Sequence, residues 1–201
     1  LSLNNLVGVF NQLIKYESFM NTSIKIIVFI VSFFINDSIY SNEMIIGKET
    51  IEPGINIVFE GAIKDDIEPG KFFLDQQSTD VHLEALINWS EKSPIGSPIG
   101  GFIPYLEVEA LVINIRNDIK EKFLLTPHLN MSDNFHYASN IKLPGKIDDN
   151  YDIEFFIFPP KEGIIGYHYD WVDEANYPLI LPVSYKYKNL NFKKIANSKR
   201  R

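Results

Sequence analysis

Residues 79–89, Thr-Asp-Val-His-Leu-Glu-Ala-Leu-Ile-Asn-Trp, decide the fold because apolar and polar side chains alternate along them. Side chains in a β-strand have a period of two, so alternate residues of this stretch share an apolar face. On the opposite face, where Leu86 is the one apolar exception, His82 and Glu84 lie about 7 Å apart, twice the rise of about 3.3 Å per residue. An imidazole and a carboxylate at this spacing can share one cation. The stretch therefore predicts a strand that forms one wall of a metal site.

Six further stretches have strand character and are separated by turn signals such as Pro-Gly pairs. They cover residues 55–63, 104–117, 122–129, 136–143, 151–158 and 177–190. No amphipathic helix is predicted after Ser41. Short strands with regular turns are typical of an all-β protein, and we predict an immunoglobulin-like antiparallel β-sandwich of about seven or more strands.

The first part of the chain has the pattern of an export signal. Residues 20–41 begin with Met20, carry Lys25, continue with a ten-residue apolar run at 26–35 and end with Ser41. This order predicts a secretory signal peptide, because the run is shorter than the roughly 20 residues that span a bilayer. A buried helix or strand, or an uncleaved anchor, is the alternative interpretation. Residues 1–19 would then be a misassigned upstream extension, 42–192 the metal-binding sandwich and 193–201 a basic, frayed tail.

Composition limits the classes of function. The 201 residues carry a formal net charge of −7, which argues against a nucleic acid partner, since phosphate binding needs clustered Lys and Arg. The chain has no cysteine, so a thiolate metal site, a disulfide framework and a cysteine nucleophile are excluded. Any metal site must use histidine, carboxylate, methionine or backbone oxygen.

The chain contains four histidines, and their surroundings suggest metal ligands. His82 shares a strand face with Glu84. His128 and His136 flank one predicted turn that contains Met131, and His168 lies in Gly-Tyr-His-Tyr-Asp at 166–170. A single histidine in a sandwich is more often an incidental residue than a ligand. The four together make a shared metal site a stronger hypothesis.

Four motifs resemble those of a known family. Asp-Val-His-Leu-Glu-Ala at 80–85 is similar to the Asp-Ile-His-Leu-Glu-Ala-Asp signature of the periplasmic iron-uptake proteins, which are copper-binding, immunoglobulin-like antigens found alongside an inner-membrane iron permease. Gly-Phe-Ile-Pro-Tyr-Leu at 101–106, His-Tyr-Ala-Ser-Asn-Ile-Lys-Leu-Pro at 136–144 and Gly-Tyr-His-Tyr-Asp at 166–170 resemble further family motifs in the same order. The resemblance runs from about residue 55 to 188.

The resemblance implies a site, a cofactor and partners. His82, His136 and His168 match the family's metal-ligand histidines, and Glu84 matches the glutamate beside the metal, as a ligand or as a neighbour of the ligands. The implied cofactor is a copper or iron ion, or both. The implied partners are the iron permease and a second copy of the chain, with the metal sites near the interface of a homodimer.

The chain departs from the family pattern at the metal ligands. Where the family has a methionine after a proline, Leu-Thr-Pro-His at 125–128 places His128. Either His128 replaces the thioether, or Met131 reaches in across a turn that is one residue longer. We favour His128, because Pro127 keeps the local register and imidazole is a common metal ligand. Nitrogen in place of sulfur would make the site harder and weaken a preference for Cu(I).

These observations predict a binding protein. No serine, threonine or lysine accompanies a paired base in the motifs, so we do not predict an enzyme, although a copper centre that cycles between oxidation states could oxidise Fe(II). The predicted function is periplasmic binding of iron or copper in support of high-affinity iron uptake through the permease. A periplasmic copper-handling protein and an adhesion or scaffold sandwich without metal are the alternatives.

Overall fold

The computed structural model describes residues 43–94, 96–175 and 178–199. The predicted upstream extension and signal peptide lie outside these residues. The described residues form eight strands: β1 (Met44–Ile51), β2 (Ile55–Ala62), β3 (Val81–Trp89), β4 (Glu107–Asn114), β5 (Lys120–Asn130), β6 (Asn134–Ile141), β7 (Asn150–Phe158) and β8 (Val183–Asn191). Their helices are a 3-10 turn (Gly70–Phe72), α1 (Tyr169–Glu174) and α2 (Lys193–Ala196). None of these helices is long and apolar enough to cross a membrane.

All neighbouring strands are antiparallel, in the order β1-β2-β3-β6-β5-β4-β7-β8. Strand β5 belongs to both halves of the sheet, since its residues up to Leu125 pair with β4 and those from Thr126 onward pair with β6. The change of partner folds one half over the other. The predicted all-β antiparallel sandwich is confirmed, and the strands nearly close on themselves.

Strand β1 is the one described strand that the sequence analysis missed. Its register with β2 shifts between Ile45 and Gly47, so the inward-facing positions change phase in the middle of the strand. A bulge of this kind interrupts the period of two on which a sequence-based prediction depends. The remaining seven strands match the predicted stretches with ends that agree within three residues, except that β8 begins only at Val183, later than predicted.

The core lies between the two halves of the folded sheet. In β3 the predicted apolar face is fully buried from Val81 to Ile87 and half-buried at Trp89, and Phe59 of β2 stacks on Phe155 of β7 with ring centroids 4.1 Å apart. The fully buried core residues of β3, β4 and β7 are Val81, Leu83, Ala85, Ile87, Val108, Ala110, Val112, Tyr151, Ile153, Phe155 and Ile157. The opposite face of β3, with His82 and Glu84, is therefore turned away from this core.

The first and last strands of the sheet meet at a seam. The Tyr187 hydroxyl of β8 donates a hydrogen bond of 2.8 Å to a Glu49 carboxylate oxygen of β1. Gly47 lies directly against the Tyr187 ring, and a Cβ at this position would overlap the ring atoms. Burial, together with Glu49, raises the pKa of the Tyr187 hydroxyl, so this hydroxyl stays a donor at neutral pH.

Replacing Gly47 by alanine should lower the free energy of unfolding by about 1–3 kcal/mol, because overpacking displaces a well-packed neighbour at this cost. Urea unfolding monitored by circular dichroism measures the change. Gly70→Ala is the matched control, since a Cβ there would have no neighbour within 4 Å. Equal destabilisation by the two substitutions would show that the seam is not closely packed.

The predicted basic tail begins with an ordered turn of helix. In α2, Ile195 and Ala196 are buried, and Phe192 just before the helix is fully buried in the core. The expectation that the chain frays from residue 193 is therefore wrong for residues 193–196. The reason is the spacing of three to four residues between these apolar side chains, which puts them on one side of a helical turn within a basic sequence.

Candidate metal centre

Three adjacent strands bring three of the four histidines together. His82 lies on β3, His136 on β6 and His128 on β5, and His128 and His136 are directly opposed in the β5–β6 pair. One ring nitrogen from each of the three lies within 4.8 Å of the other two. All three side chains are buried on the face of the sheet that is turned away from the core. Imidazole nitrogens at this separation can ligate one ion.

Glu84 lies beside this cluster. Its Oε1 atom is 3.5 Å from His82 Nε2 and 3.7 Å from His136 Nε2. Its Oε2 atom and both ring nitrogens of His128 are buried and have no hydrogen-bond partner among the described residues. A buried polar atom without a partner costs about 1–3 kcal/mol, so native proteins rarely contain several at one point. Three imidazoles and one carboxylate fit a copper, zinc or iron ion, which would satisfy these atoms.

The backbone orients the His136 ring. His136 Nδ1 lies 3.1 Å from the carbonyl oxygen of Asn134. A carbonyl only accepts, so Nδ1 carries the ring proton and the lone pair of Nε2 points towards Glu84. On His82 the corresponding neighbour of Nδ1 is Asn140 Oδ1, at 2.7 Å. Metal-binding histidines typically donate their second ring nitrogen in this way.

Burial sets the protonation of the cluster. It lowers the pKa of His82 to about 4, although the hydrogen bond with Asn140 acts in the opposite direction. It also lowers the pKa of His128 to about 4, and the neighbouring histidines lower it further. Burial also raises the pKa of Glu84 to about 8, with smaller contributions from Asp133 and other nearby carboxylates. At neutral pH, His82 and His128 are therefore neutral, whereas Glu84 keeps its proton until a cation replaces it.

A long loop, residues 63–80, covers the cluster. Phe73 in this loop packs edge-on against the His128 ring, with centroids 5.0 Å apart. Between loop and sheet lies a cavity of about 430 Å³, lined by the three histidines and Glu84 and by the loop carboxylates Asp65, Asp66 and Glu68. The loop therefore shields the histidines while presenting negative charge to an incoming cation.

Met131 and His168 are predicted ligands that lie outside the histidine cluster of the described chain. Met131 is fully exposed at the tip of the β5–β6 turn, where Asn130 Oδ1 accepts hydrogen bonds from the Ser132 and Asp133 amides. This turn directs Met131 to solvent, so the alternative in which Met131 reaches into the site does not occur in the structure. His168 is exposed just before α1 and is not one of the three clustered histidines. Within one chain three imidazoles converge rather than four, and the role of His168 as a metal ligand stays a prediction.

Two polar residues beside the site were not predicted from the sequence. Glu60 lies directly opposite Glu84 in the β2–β3 pair, and burial together with Glu43 raises the pKa of Glu60 to about 7. Asn140 lies directly opposite His82 in the β3–β6 pair. A signal for Asn140 was available, because residues 136, 138 and 140 share one face of a strand. For Glu60 the available signal was that it is the one charged residue in an apolar strand, since a charge in such a position usually has a partner or a ligand.

The fold and the site define a class: an antiparallel β-sandwich with a buried cluster of three histidines and one carboxylate of the kind that can hold a metal ion. Residues 40–193 match the family model described as Fe2+ transport protein, and the chain belongs to this family. The predicted family resemblance is confirmed.

Individual relatives agree with this assignment. A copper-bound variant of FetP from uropathogenic Escherichia coli is 27% identical, covers 74% of this chain and 98% of its own, and superposes with a TM-score of 0.62. A copper-bound variant of Campylobacter jejuni P19 is 26% identical, covers 74% and 97%, and superposes with a TM-score of 0.64. A UPF0423 protein of Brucella abortus is 29% identical over 153 residues, which are 74% of this chain and 81% of that protein.

Proposed function

We propose that this protein binds copper or iron in the periplasm and assists iron uptake through an inner-membrane permease. The observation that carries the metal site is the set of orphaned buried atoms, both ring nitrogens of His128 and Glu84 Oε2, beside two further imidazoles. The family description supports iron transport, and the copper-bound FetP and P19 structures support a copper site. The predicted signal peptide supports export.

His82, His128 and His136 would hold the ion through imidazole nitrogens, with Glu84 as the anionic group. This donor set carries one negative charge and no sulfur, so it is harder than a site with a thioether and suits Cu(II), Zn(II) or Fe(II). Copper should bind most tightly in vitro, as the Irving–Williams order requires. A bound copper ion would supply one-electron chemistry towards Fe(II); the chain's own residues bind the ion, orient the rings and exclude water.

We further propose that the protein is a homodimer in which a second copy of the chain supplies His168 to the metal site. The exposed position of His168, in a motif that the family shares, supports this arrangement. Sedimentation analysis tests the dimer, and a His168→Ala variant tests the ligand. A monomer at micromolar concentration, or unchanged Cu(II) affinity in the variant, would remove His168 from the site.

Two experiments separate the functions. Calorimetric titration with Cu(II) and Fe(II) tests metal binding, and absence of uptake above background would leave an adhesion or scaffold sandwich. Growth of a deletion strain under iron starvation tests iron delivery. A deletion strain that grows normally without iron but poorly with excess copper would assign the protein to copper handling instead.

A His128→Met substitution should raise the affinity for Cu(I) relative to Zn(II), because a thioether is a softer ligand than imidazole. His128 is buried beside the other two rings, so the methionine sulfur would enter the same cavity. Competition with chromogenic chelators measures both affinities. An unchanged ratio of the two affinities would show that His128 does not ligate the ion.

A further inference from the structure

Asn140 joins the covering loop to one of the clustered histidines. Its Oδ1 atom lies 2.7 Å from His82 Nδ1, and its Nδ2 atom donates to the carbonyl oxygens of Asp65, at 2.8 Å, and Leu74, at 2.7 Å. Asp65 lies near the start of the loop of residues 63–80, and Leu74 lies nine residues further along it. Asn140 itself is buried. A single amide therefore holds two separate segments of the loop and one imidazole.

The hydrogen bonds determine the orientation of this amide. The Asp65 and Leu74 carbonyls can only accept, so the atom between them must be the NH₂ group of Asn140. Oδ1 is then the atom that faces His82, and it can only accept as well. His82 Nδ1 must carry the ring proton, which leaves the lone pair of Nε2 on the side of Glu84 and His128.

We infer that Asn140 is a positioning residue that fixes the metal-binding tautomer of His82 and couples occupation of the site to closure of the loop of residues 63–80. This inference rests on the proposed metal-binding function and extends it to the loop. A cation held by His82 would withdraw electron density from the ring and make the Nδ1 proton a stronger donor to Asn140. The polarised amide would then donate more strongly to the Asp65 and Leu74 carbonyls, because linked hydrogen bonds reinforce one another.

Three variants separate the two roles of Asn140. Asn140→Ala removes the acceptor for His82 and both donors to the loop. Asn140→Asp keeps an acceptor for His82 but has no NH₂ group for the loop. Gln76→Ala is the matched control, because Gln76 Nε2 donates to the Lys64 carbonyl within the loop at 3.2 Å and neither of the described hydrogen bonds of Gln76 involves His82.

The metal-free protein is compared first. Nitrogen-15 spectra of the imidazoles should place the His82 proton on Nδ1 in the wild type, in Asn140→Asp and in Gln76→Ala, but not exclusively in Asn140→Ala. Hydrogen exchange of the amides of residues 64–78 should be faster in both Asn140 variants than in Gln76→Ala. A wild-type tautomer and wild-type loop exchange in Asn140→Ala would overturn the inference; if that variant does not fold, loop exchange in Asn140→Asp decides.

The same proteins are then loaded with Cu(II). We expect Cu(II) to slow loop exchange in the wild type and in Gln76→Ala but not in either Asn140 variant, and to bind Asn140→Ala about 10- to 100-fold more weakly. Equal slowing in Asn140→Asp and the wild type would disprove the coupling. Failure of the wild type to bind Cu(II) would remove the proposed function and the coupling, while the metal-free comparison would still decide whether Asn140 sets the His82 tautomer.

Discussion

Replacement of His136 by alanine is expected to weaken Cu(II) binding by more than the roughly 10- to 100-fold that follows loss of a hydrogen-bond partner behind a ligand. His136 is the most buried of the three clustered histidines, with 1% of its surface exposed. The Asn134 carbonyl holds its ring so that Nε2 faces Glu84. Alanine would therefore remove a preoriented nitrogen ligand from the site.

Competition titration against a chelator of known affinity measures this effect. Met131→Ala is the control, because Met131 is fully exposed at the turn between the same two strands and should leave Cu(II) binding unchanged. Circular dichroism checks that both variants remain folded. Equal Cu(II) affinities in His136→Ala and the wild type would mean that the ion binds elsewhere.

Binding of Cu(II) at pH 7 is expected to release about one proton from Glu84. The pKa of this carboxyl is raised to about 8, so it is largely protonated before the ion arrives, whereas His82 and His128, with pKa values of about 4, are already neutral and have an unprotonated ring nitrogen. Calorimetry in buffers with different ionisation enthalpies counts the protons. Glu84→Gln should reduce the release by about one proton, and an unchanged release in this variant would assign the proton to another group.

The same pKa shift has a consequence for the stability of the metal-free protein. The folded Glu84 keeps its proton up to about pH 8, while the unfolded carboxyl loses it near pH 4.5, so the free energy of unfolding falls as pH rises through this window. His82 and His128 have the opposite effect, because between about pH 4 and 6.5 their side chains are protonated only in the unfolded chain. The free energy of unfolding therefore rises with pH through their contribution.

Above pH 6.5, Glu84 continues to lower the free energy of unfolding as pH rises. Glu60 adds to this decrease up to about pH 7. The expected loss between pH 6.5 and 8 is about 1–2 kcal/mol, from about 1.4 kcal/mol per proton and pH unit. Urea unfolding at the two pH values measures the loss. Glu84→Gln should lose less stability than the wild type, and an equal loss would show that another group titrates.

Local patterns predicted seven of the eight described strands and part of the site. The alternation around His82 and Glu84 gave both the buried face of β3 and the polar face that carries the cluster. The cross-strand pair of His128 and His136 also followed from their positions on either side of one turn. These features depend on a period of two along continuous strands, which a single sequence displays directly.

Features that depend on contacts distant in sequence could not be predicted in this way. Glu60 and Glu84 are 24 residues apart and become neighbours only through the β2–β3 register. The hydrogen bonds of Asn140 depend on the position of the loop of residues 63–80 over the sheet. The periodicity of the sequence does not predict that position. The preference for His128 over Met131, in contrast, followed from the local register at Pro127, and the turn directs Met131 outwards.

Anomalous diffraction at the copper edge, from crystals grown with Cu(II), shows whether His82, His128 and His136 ligate one ion. We expect one strong peak about 2.0–2.1 Å from a ring nitrogen of each of these histidines, the usual length of a bond from imidazole to a borderline divalent metal such as zinc. Copper peaks confined to surface carboxylates, with the three rings left without an ion, would contradict it.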